Sequence, residues 1–325
     1  MRALQRLGFI ALCVSAWGLR PLPAQATGVA YIINSAGASI SVVDMATLKE
    51  VRKIPVLREP HHVVMSPDGR SLLVGDTVGN QMLFLDPNTG AIQQRLPVAD
   101  PYQLGFSPDS KFLTVTGLAR NQVDVYDAAT MKLVKRFPVE KTPSHLAYSP
   151  DSSTVFVSLQ DSDRLEAFDL RTMTSKWSMP VGKTPAGVMW LNGHVLVAIM
   201  GSDYIAVVDP ANGHVIDKVE TGKGAHQLFM SPDNKILWVN NRAGGSTVAL
   251  DPATLKITRR YDVPGGPDDI DFAPDGKLWI TRRWAEKVEV MDPKTGASQS
   301  IDVGRSPHGL FLVPHAPSPS AVSSR

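Results

Sequence analysis

The chain has 325 residues, 43% of them hydrophobic and 20% charged, with a formal net charge of +2. Three of its 33 basic residues, Arg2, Arg6 and Arg20, fall in the first 26 positions, which hold no acid, so the rest carries 30 basic against 31 acidic residues. That near-neutral balance supplies no global attraction for nucleic acid, and the single cysteine, Cys13, excludes a disulfide framework or a Cys-based metal motif.

From the N-terminus, residues 1–26 read as a cleavable secretory signal. Arg2 and Arg6 form its positive start, Leu7 to Leu19 its apolar run, and Ala24-Gln25-Ala26 its small-residue cleavage site. The run is too short for a membrane span. Leu12 before Cys13 makes a poor lipid-attachment box, so a periplasmic or secreted location with no lipid and no span is expected.

Beyond residue 26 one phrase returns seven times. It begins at Pro60, Pro101, Pro143, Pro185, Ala225, Pro267 and Pro307, at spacings of 41, 42, 42, 40, 42 and 40 residues. Each unit alternates apolar and polar residues with period two, which argues strands. In one unit Gln103–Phe106 predicts an inner strand, Ser107–Ser110 a turn, and Lys111–Thr116 a second strand. Gln122–Asp127 then predicts a third strand and Lys132–Val139 a fourth. Four strands at a period in the low forties are the signature of a propeller blade.

The first set of outer strands, Val29 to Val56, lacks an inner strand before it. The last inner strand, His308 to Leu312, lacks outer strands after it. The expected fold class is therefore all-β: a seven-bladed β-propeller of four-stranded antiparallel blades, closed by pairing the C-terminal strand with the N-terminal strands. An open superhelical array is the alternative, but it calls for capping repeats that the chain does not show. The propeller is expected over residues 27–314, with a disordered Pro/Ser/Ala-rich tail at 315–325.

Two recurrent features read as turn chemistry. An Asp closes every third strand, at Asp44, Asp86, Asp127, Asp169, Asp209, Asp251 and Asp292, and Ser-Pro-Asp turns begin at Ser66, Ser107, Ser149 and Ser231.

The phrase VDVYDAATMKLVKRFPV and the Ser-Pro-Asp-Gly box resemble the YVTN-type β-propeller repeat proteins, with a likeness that runs from Val29 to Leu312. Its best-matching stretch is Gly222 to Pro314, with Gly224-Ala225-His226, Asn240-Asn241-Arg242 and Ser306 to Leu310. The resemblance implies a propeller. Its wider group includes surface-layer proteins, exported binding proteins and relatives of the haem d1 domain. No catalytic set can be carried across residue by residue, and fold does not fix function.

In a propeller the loops entering the inner strands share one face with the loops between second and third strands. The first position after the repeating proline holds His61, Tyr102, Ser144, Ala186, His226, Asp268 and His308. The second holds His62, Gln103, His145, Gly187, Gln227, Asp269 and Gly309. Five of the chain's eight histidines fall in these two registers. After closure, His226, Asp268, His308 and His61 occupy adjacent blades, a donor inventory for a divalent metal ion, with His62 and Asp269 behind them.

The same face gathers Arg58, Lys141, Lys183, Lys223 and Arg305 before the proline. Arg120, Arg242, Arg282, Arg283 and Trp284 come from the second-to-third loops. Guanidinium forks beside an aromatic suit an anionic small molecule or another exported protein. His62, Tyr102, Gln103, His145, Gln227, Asp269, Arg242, Arg282, Arg283 and Trp284 are the candidate ligand-binding residues. A monomer is expected.

The chain contains no P-loop, dinucleotide loop or G-x-S-x-G elbow. The leading expectation is an exported binding protein. The alternative is a metal-dependent lyase or hydrolase acting on an anionic substrate. Behind these stand a haem-type carrier with His145 or His226 as axial ligand, and a single-stranded nucleic-acid binder using the basic rim with Trp284 and Tyr102.

Overall fold

The computed structural model describes residues 27–314. The signal expected at 1–26 and the tail expected at 315–325 lie outside the described residues. Seven antiparallel sheets of four strands make up the described chain, with two short 3-10 turns at Ser35–Gly37 and Gln160–Ser162. The unit read from sequence appears as Pro101–Phe106, Phe112–Gly117, Gln122–Asp127 and Leu133–Pro138. Every inner strand begins at the repeating position, from Pro60 to Pro307. We number the blades by these inner strands, so Pro60 opens blade one and Pro307 opens blade seven.

Blade seven is the composite one. The strand Pro307–Pro314 pairs with Gly28–Asn34, from Gly28 opposite Pro314 to Asn34 opposite Pro307. Gly28–Asn34 then pairs with Ser39–Asp44, and that strand with Lys49–Pro55. Joining the chain ends in one sheet closes the circle and removes the open side of the array.

Packing follows from strand alternation. In blade one Leu72 and Val74 pack with Tyr31, Ile33 and Ile40 of blade seven, while Leu73 between them packs with Leu104, Leu113 and Val115 of blade two. Each blade is thus buried on both faces. Its middle strands read as nearly unbroken apolar runs, as in Leu72–Asp76, while outer strands such as Lys49–Pro55 stay mostly exposed. Truncating a fully buried leucine such as Leu73 would cost about 2–5 kcal/mol.

The turn reading holds atom by atom. Asp44 Oδ1 accepts from the Thr47 amide at 2.7 Å and Asp251 Oδ1 from the Thr254 amide at 2.8 Å. Ser66 Oγ donates to Asp68 Oδ1 at 2.7 Å, and Ser231 Oγ to Asp233 Oδ1 at the same distance. These carboxylates stabilise their own turns.

Candidate functional site

The route into each inner strand sets up the site. In six of the seven repeats the residue before the repeating position is left-handed: Asp100, Thr142, Thr184, Gly224, Gly266 and Ser306 all have φ between 49° and 74°. For β-branched Thr142 this conformation costs about 1–3 kcal/mol. Its amide donates to Asn121 Oδ1 at 2.9 Å and its hydroxyl to Asp161 Oδ2 at 2.6 Å, which hold it there.

A bulge follows at once. Pro60 pairs with Asp76 and Val63 with Val74, so His61 and His62 together face the single residue Gly75. Likewise Ser144 and His145 face Ser158, Asp268 and Asp269 face Thr281, and His308 and Gly309 face Ile33. In a regular strand neighbouring side chains point to opposite faces; a bulge re-aims both. This is why His61 and His62, adjacent in sequence, have ring centroids only 5.4 Å apart.

Hydroxyl residues opposite the bulges pin them. Thr281 Oγ1 accepts from the Asp269 amide at 2.8 Å and donates to the His308 carbonyl of the next blade at 2.9 Å. Thr116 Oγ1 accepts from the Gln103 amide at 3.1 Å and donates to the Ser144 carbonyl at 2.7 Å. Ser158 Oγ accepts from the His145 amide at 3.1 Å. Sequence reasoning missed Thr116, Ser158 and Thr281. Their signal was available: each is a hydroxyl recurring at one register of an otherwise apolar second strand.

The bulges assemble one continuous cluster. Ring centroids of His61 and His308 lie 3.9 Å apart, His61 and Tyr102 4.1 Å, and His62 and His308 4.5 Å. His145 stands 5.5 Å from His62 and 5.3 Å from His226. It reaches His226 across blade four, where Ala186 and Gly187 place no larger side chain between them. The sequence suggested residues lining a shared face. Instead the five histidines and Asp268 are each at most 7% exposed, so they plug the channel rather than line it.

Asp268 is the charged centre. Arg242 Nη2 donates to its Oδ1, Arg283 Nη1 to its Oδ2 at 3.4 Å, and His226 Nδ1 lies 3.1 Å from Oδ1. Burial pushes its carboxyl up, but the Arg242 and Arg283 guanidiniums outweigh that and hold it below its ordinary value. Burial alone dominates at the imidazoles. It drives His61, His145, His226 and His308 well below 6.5 and His62 down to about 3, with the nearby guanidiniums acting in the same direction. The histidines are therefore neutral at pH 7, and Arg242 Nη2 takes up the lone pair of His226. Burial also pushes the Tyr102 phenol up to about 12, so it stays protonated.

Several of these groups lack partners. Nδ1 of His61, Nε2 of His62, Nε2 of His145 and both ring nitrogens of His308 are buried without a hydrogen bond. Each such atom costs about 1–3 kcal/mol, an expense that a folded site carries when something else satisfies it.

The expected site residues separate into two groups. His61, His62, Tyr102, His145, His226, Asp268, His308, Arg242 and Arg283 come together. Gln103, Gln227, Asp269, Arg282 and Trp284 do other work. Gln103 Oε1 accepts from the Leu146 amide at 2.7 Å, and Asp269 Oδ2 from the Leu310 amide at 3.1 Å, so both tie one inner strand to the next. Burial and the charge of Asp268 push the Asp269 carboxyl well above its usual range. Gln227 lies against Gly187. Arg282 ends its strand and turns outward, donating to Glu289 Oε2 and Ser300 Oγ at 2.8 and 3.0 Å. Trp284 packs over Gly266 and is 61% exposed.

The four residues read as metal ligands also divide. His226 and Asp268 are engaged by Arg242, whereas His61 and His308 group with His62. Donor nitrogens of those three lie within 4.8 Å of one another. Outside the cluster, a surface cavity of about 350 Å³ on the same face is lined by Ser35, Arg58, Glu59 and Arg305. A larger apolar cavity, about 600 Å³, lies among the Ser-Pro-Asp-type turns of blades five and six, lined by Trp238, Tyr261, Phe272 and Pro274. It touches none of the histidines.

Comparison with known proteins agrees with this architecture. The family described as YNCE-like beta-propeller matches residues 7–318, and the chain belongs to that family. Among solved structures, a protein of unknown function from Desulfotomaculum acetoxidans superposes with a TM-score of 0.77 at 12% identity, covering 88% of this chain and 99% of that one. The periplasmic gluconolactonase of Pseudomonas aeruginosa gives 0.71 at 19% identity, covering 88% and 99%. The dihydro-heme d1 dehydrogenase NirN, in complex with DHE, gives 0.66 at 16% identity, covering 90% and 78%. At these identities the likeness is one of fold. No curated protein matches the chain.

Proposed function

We propose that this YNCE-like propeller is an exported binding protein that holds an anionic small molecule at its plugged channel mouth. The observation that carries the reading is the charge count of the cluster. Two guanidiniums, Arg242 and Arg283, share one buried carboxylate beside five uncharged imidazoles. Among the groups bonded to one another one positive charge is in excess, with Glu59 the further carboxylate whose charge reaches Arg283; in surroundings of low dielectric such a charge attracts an anion more strongly than a charge in water does.

Arg283 is the accessible half of the pair. It is 22% exposed and bonds Asp268 only at 3.4 Å, so it can swing to a carboxylate or phosphate and keep the fork geometry that suits either. Arg58 and Arg305 line the cavity on the same face beside Glu59, which leaves that approach with a net positive charge. Each neutral imidazole beneath has one N–H to donate to an anion's oxygens. Export is part of the reading. It rests on the N-terminal segment and on the similarity in fold to a gluconolactonase described as periplasmic.

The test is a thermal-shift screen of mono- and dicarboxylates, sugar phosphates and planar aromatic acids. At least one acid class should raise the melting temperature of the wild type, and Arg283→Met should remove that shift while folding normally. A screen without a shift, or one that Arg283→Met leaves intact, ends the proposal. A metal-dependent lyase or hydrolase at the same mouth is the second reading, favoured by the unpartnered imidazoles of His61, His62 and His308. Sustained turnover of a bound acid that stops with a chelator would select it.

A further inference from the structure

We propose that His61, His62 and His308 form a three-imidazole site for a d-block cation such as Zn(II) or Cu(II), separate from the Asp268–arginine half of the mouth. The inference deepens the proposed function by assigning a second component to the same mouth, but it does not require the anion.

Two independent observations carry it. The first is convergence. Donor nitrogens of the three rings all fall within 4.8 Å of one another. Ligand nitrogens of a tetrahedral ion bound at about 2.05 Å stand roughly 3.3 Å apart, so closing the site takes shifts of order 1 Å, within reach of ring rotation. The second is the unspent hydrogen-bonding capacity. Nδ1 of His61, Nε2 of His62 and both ring nitrogens of His308 are buried with no partner. Three neutral nitrogen donors from two adjacent blades leave at least one coordination position free, as in sites that bind a further small ligand.

The donor set selects the class of ion. Imidazole nitrogens favour zinc, copper, nickel or cobalt over magnesium or calcium, which take oxygen ligands. It also relocates the ion relative to the sequence expectation. His226 and Asp268 are bonded to Arg242, which occupies the donor atoms they would offer a cation, whereas His61, His62 and His308 keep theirs unbonded. The site borders the Asp268–Arg283 side, His308 Nε2 lying 3.8 Å from Asp268 Oδ2. An acid held by Arg283 would therefore approach the ion as its fourth ligand.

The experiment uses the untagged protein, stripped with chelator and titrated with Zn(II) against a chromophoric competitor, then with Co(II) followed by its visible d–d bands. One Zn(II) per chain and an intense tetrahedral-type Co(II) spectrum are expected. His308→Ala should weaken Zn(II) binding by 100-fold or more and His62→Gln by at least tenfold. The double variant of the outlying His194 and His214, each changed to Ala, should bind like the wild type. If His308→Ala does not fold, His62→Gln and the wild-type Co(II) spectrum decide. Absence of stoichiometric uptake overturns the inference, and so does a loss on His226→Ala as large as that on His62→Gln. Anion-induced melting shifts measured in chelator separate the two proposals. A protein that binds metal but no acid sinks only the binding reading, and one that binds acid in chelator but no metal sinks only this one.

Discussion

Replacing Asp268 with alanine probes the charged centre directly. The substitution leaves the guanidiniums of Arg242 and Arg283 pointing at a vacant, dry position, and it also removes the partner of His226. Breaking a buried ion pair from one side costs about 3–5 kcal/mol, because the remaining charge loses its compensation without regaining water. With roughly 290 ordered residues and about 2.1 cal/mol/K of unfolding entropy per residue, that corresponds to a fall in Tm of about 5–8 °C. The variant should also gain something. A free carboxylate can enter the space and restore the missing charge, so acetate or formate should recover part of the loss in Asp268→Ala alone. At 100 mM ligand and a dissociation constant near 10 mM the gain is about 1.4 kcal/mol, or about 2 °C. Differential scanning calorimetry with chloride at matched ionic strength reads both effects. A variant that melts within a degree of the wild type, or acetate that raises both proteins equally, would refute the account of two guanidiniums depending on one carboxylate.

Further outcomes follow from the inner strands. Burial pushes the Asp271 carboxyl up to about 6 from 3.8, although its oxygens accept from the Leu312 and Phe272 amides. A folded-state value above the unfolded one means the stabilising contribution is complete below about pH 4 and is lost as pH rises through 6, here by about 1–3 kcal/mol for a half-buried group. Asp271→Asn sets an NH2 group against one of those amides at any pH, so the linkage is read from the trend: its melting temperature relative to the wild type should rise between pH 4 and pH 8, and a difference that does not change with pH contradicts the linkage. Gly75 stands opposite the His61–His62 bulge, and a Cβ there would run into the backbone carbonyl of Pro101 in blade two. Gly75→Ala should cost about 1–3 kcal/mol through displaced backbone, with faster amide exchange in Pro101–Phe106 as the local readout. Unchanged exchange in that strand would mean the contact relaxes elsewhere.

Much of the architecture was legible in the residues because it is local and repeated. The proline phrase located each inner strand, although the strands begin at the proline itself, at Pro101 rather than Gln103 and at Pro307 rather than His308, and the Asp and Ser-Pro-Asp positions marked the turns they cap. The unmatched strands at the two ends foretold the pairing of Pro307–Pro314 with Gly28–Asn34. Strand period and turn chemistry depend on near neighbours, which a single sequence displays directly. The candidate site was legible as a register but not as an arrangement. Arg282 and Arg283 are adjacent and alike in sequence, yet one ends a strand facing Glu289 and the other begins the turn that reaches Asp268.

Composition and periodicity by themselves determined a closed ring of seven blades and the pair of positions per blade that face its mouth. Only the tertiary structure decided that His61 and His62 point inward together while Gln103 and Asp269, at the same second position, tie one inner strand to the next, because that depends on how each bulge is held. It also decided that His62 stands with His61 and His308 while His226 and Asp268 go to Arg242. Those choices arise from contacts between residues tens to hundreds of positions apart, and from dry burial that makes each unpaired nitrogen and each charge matter.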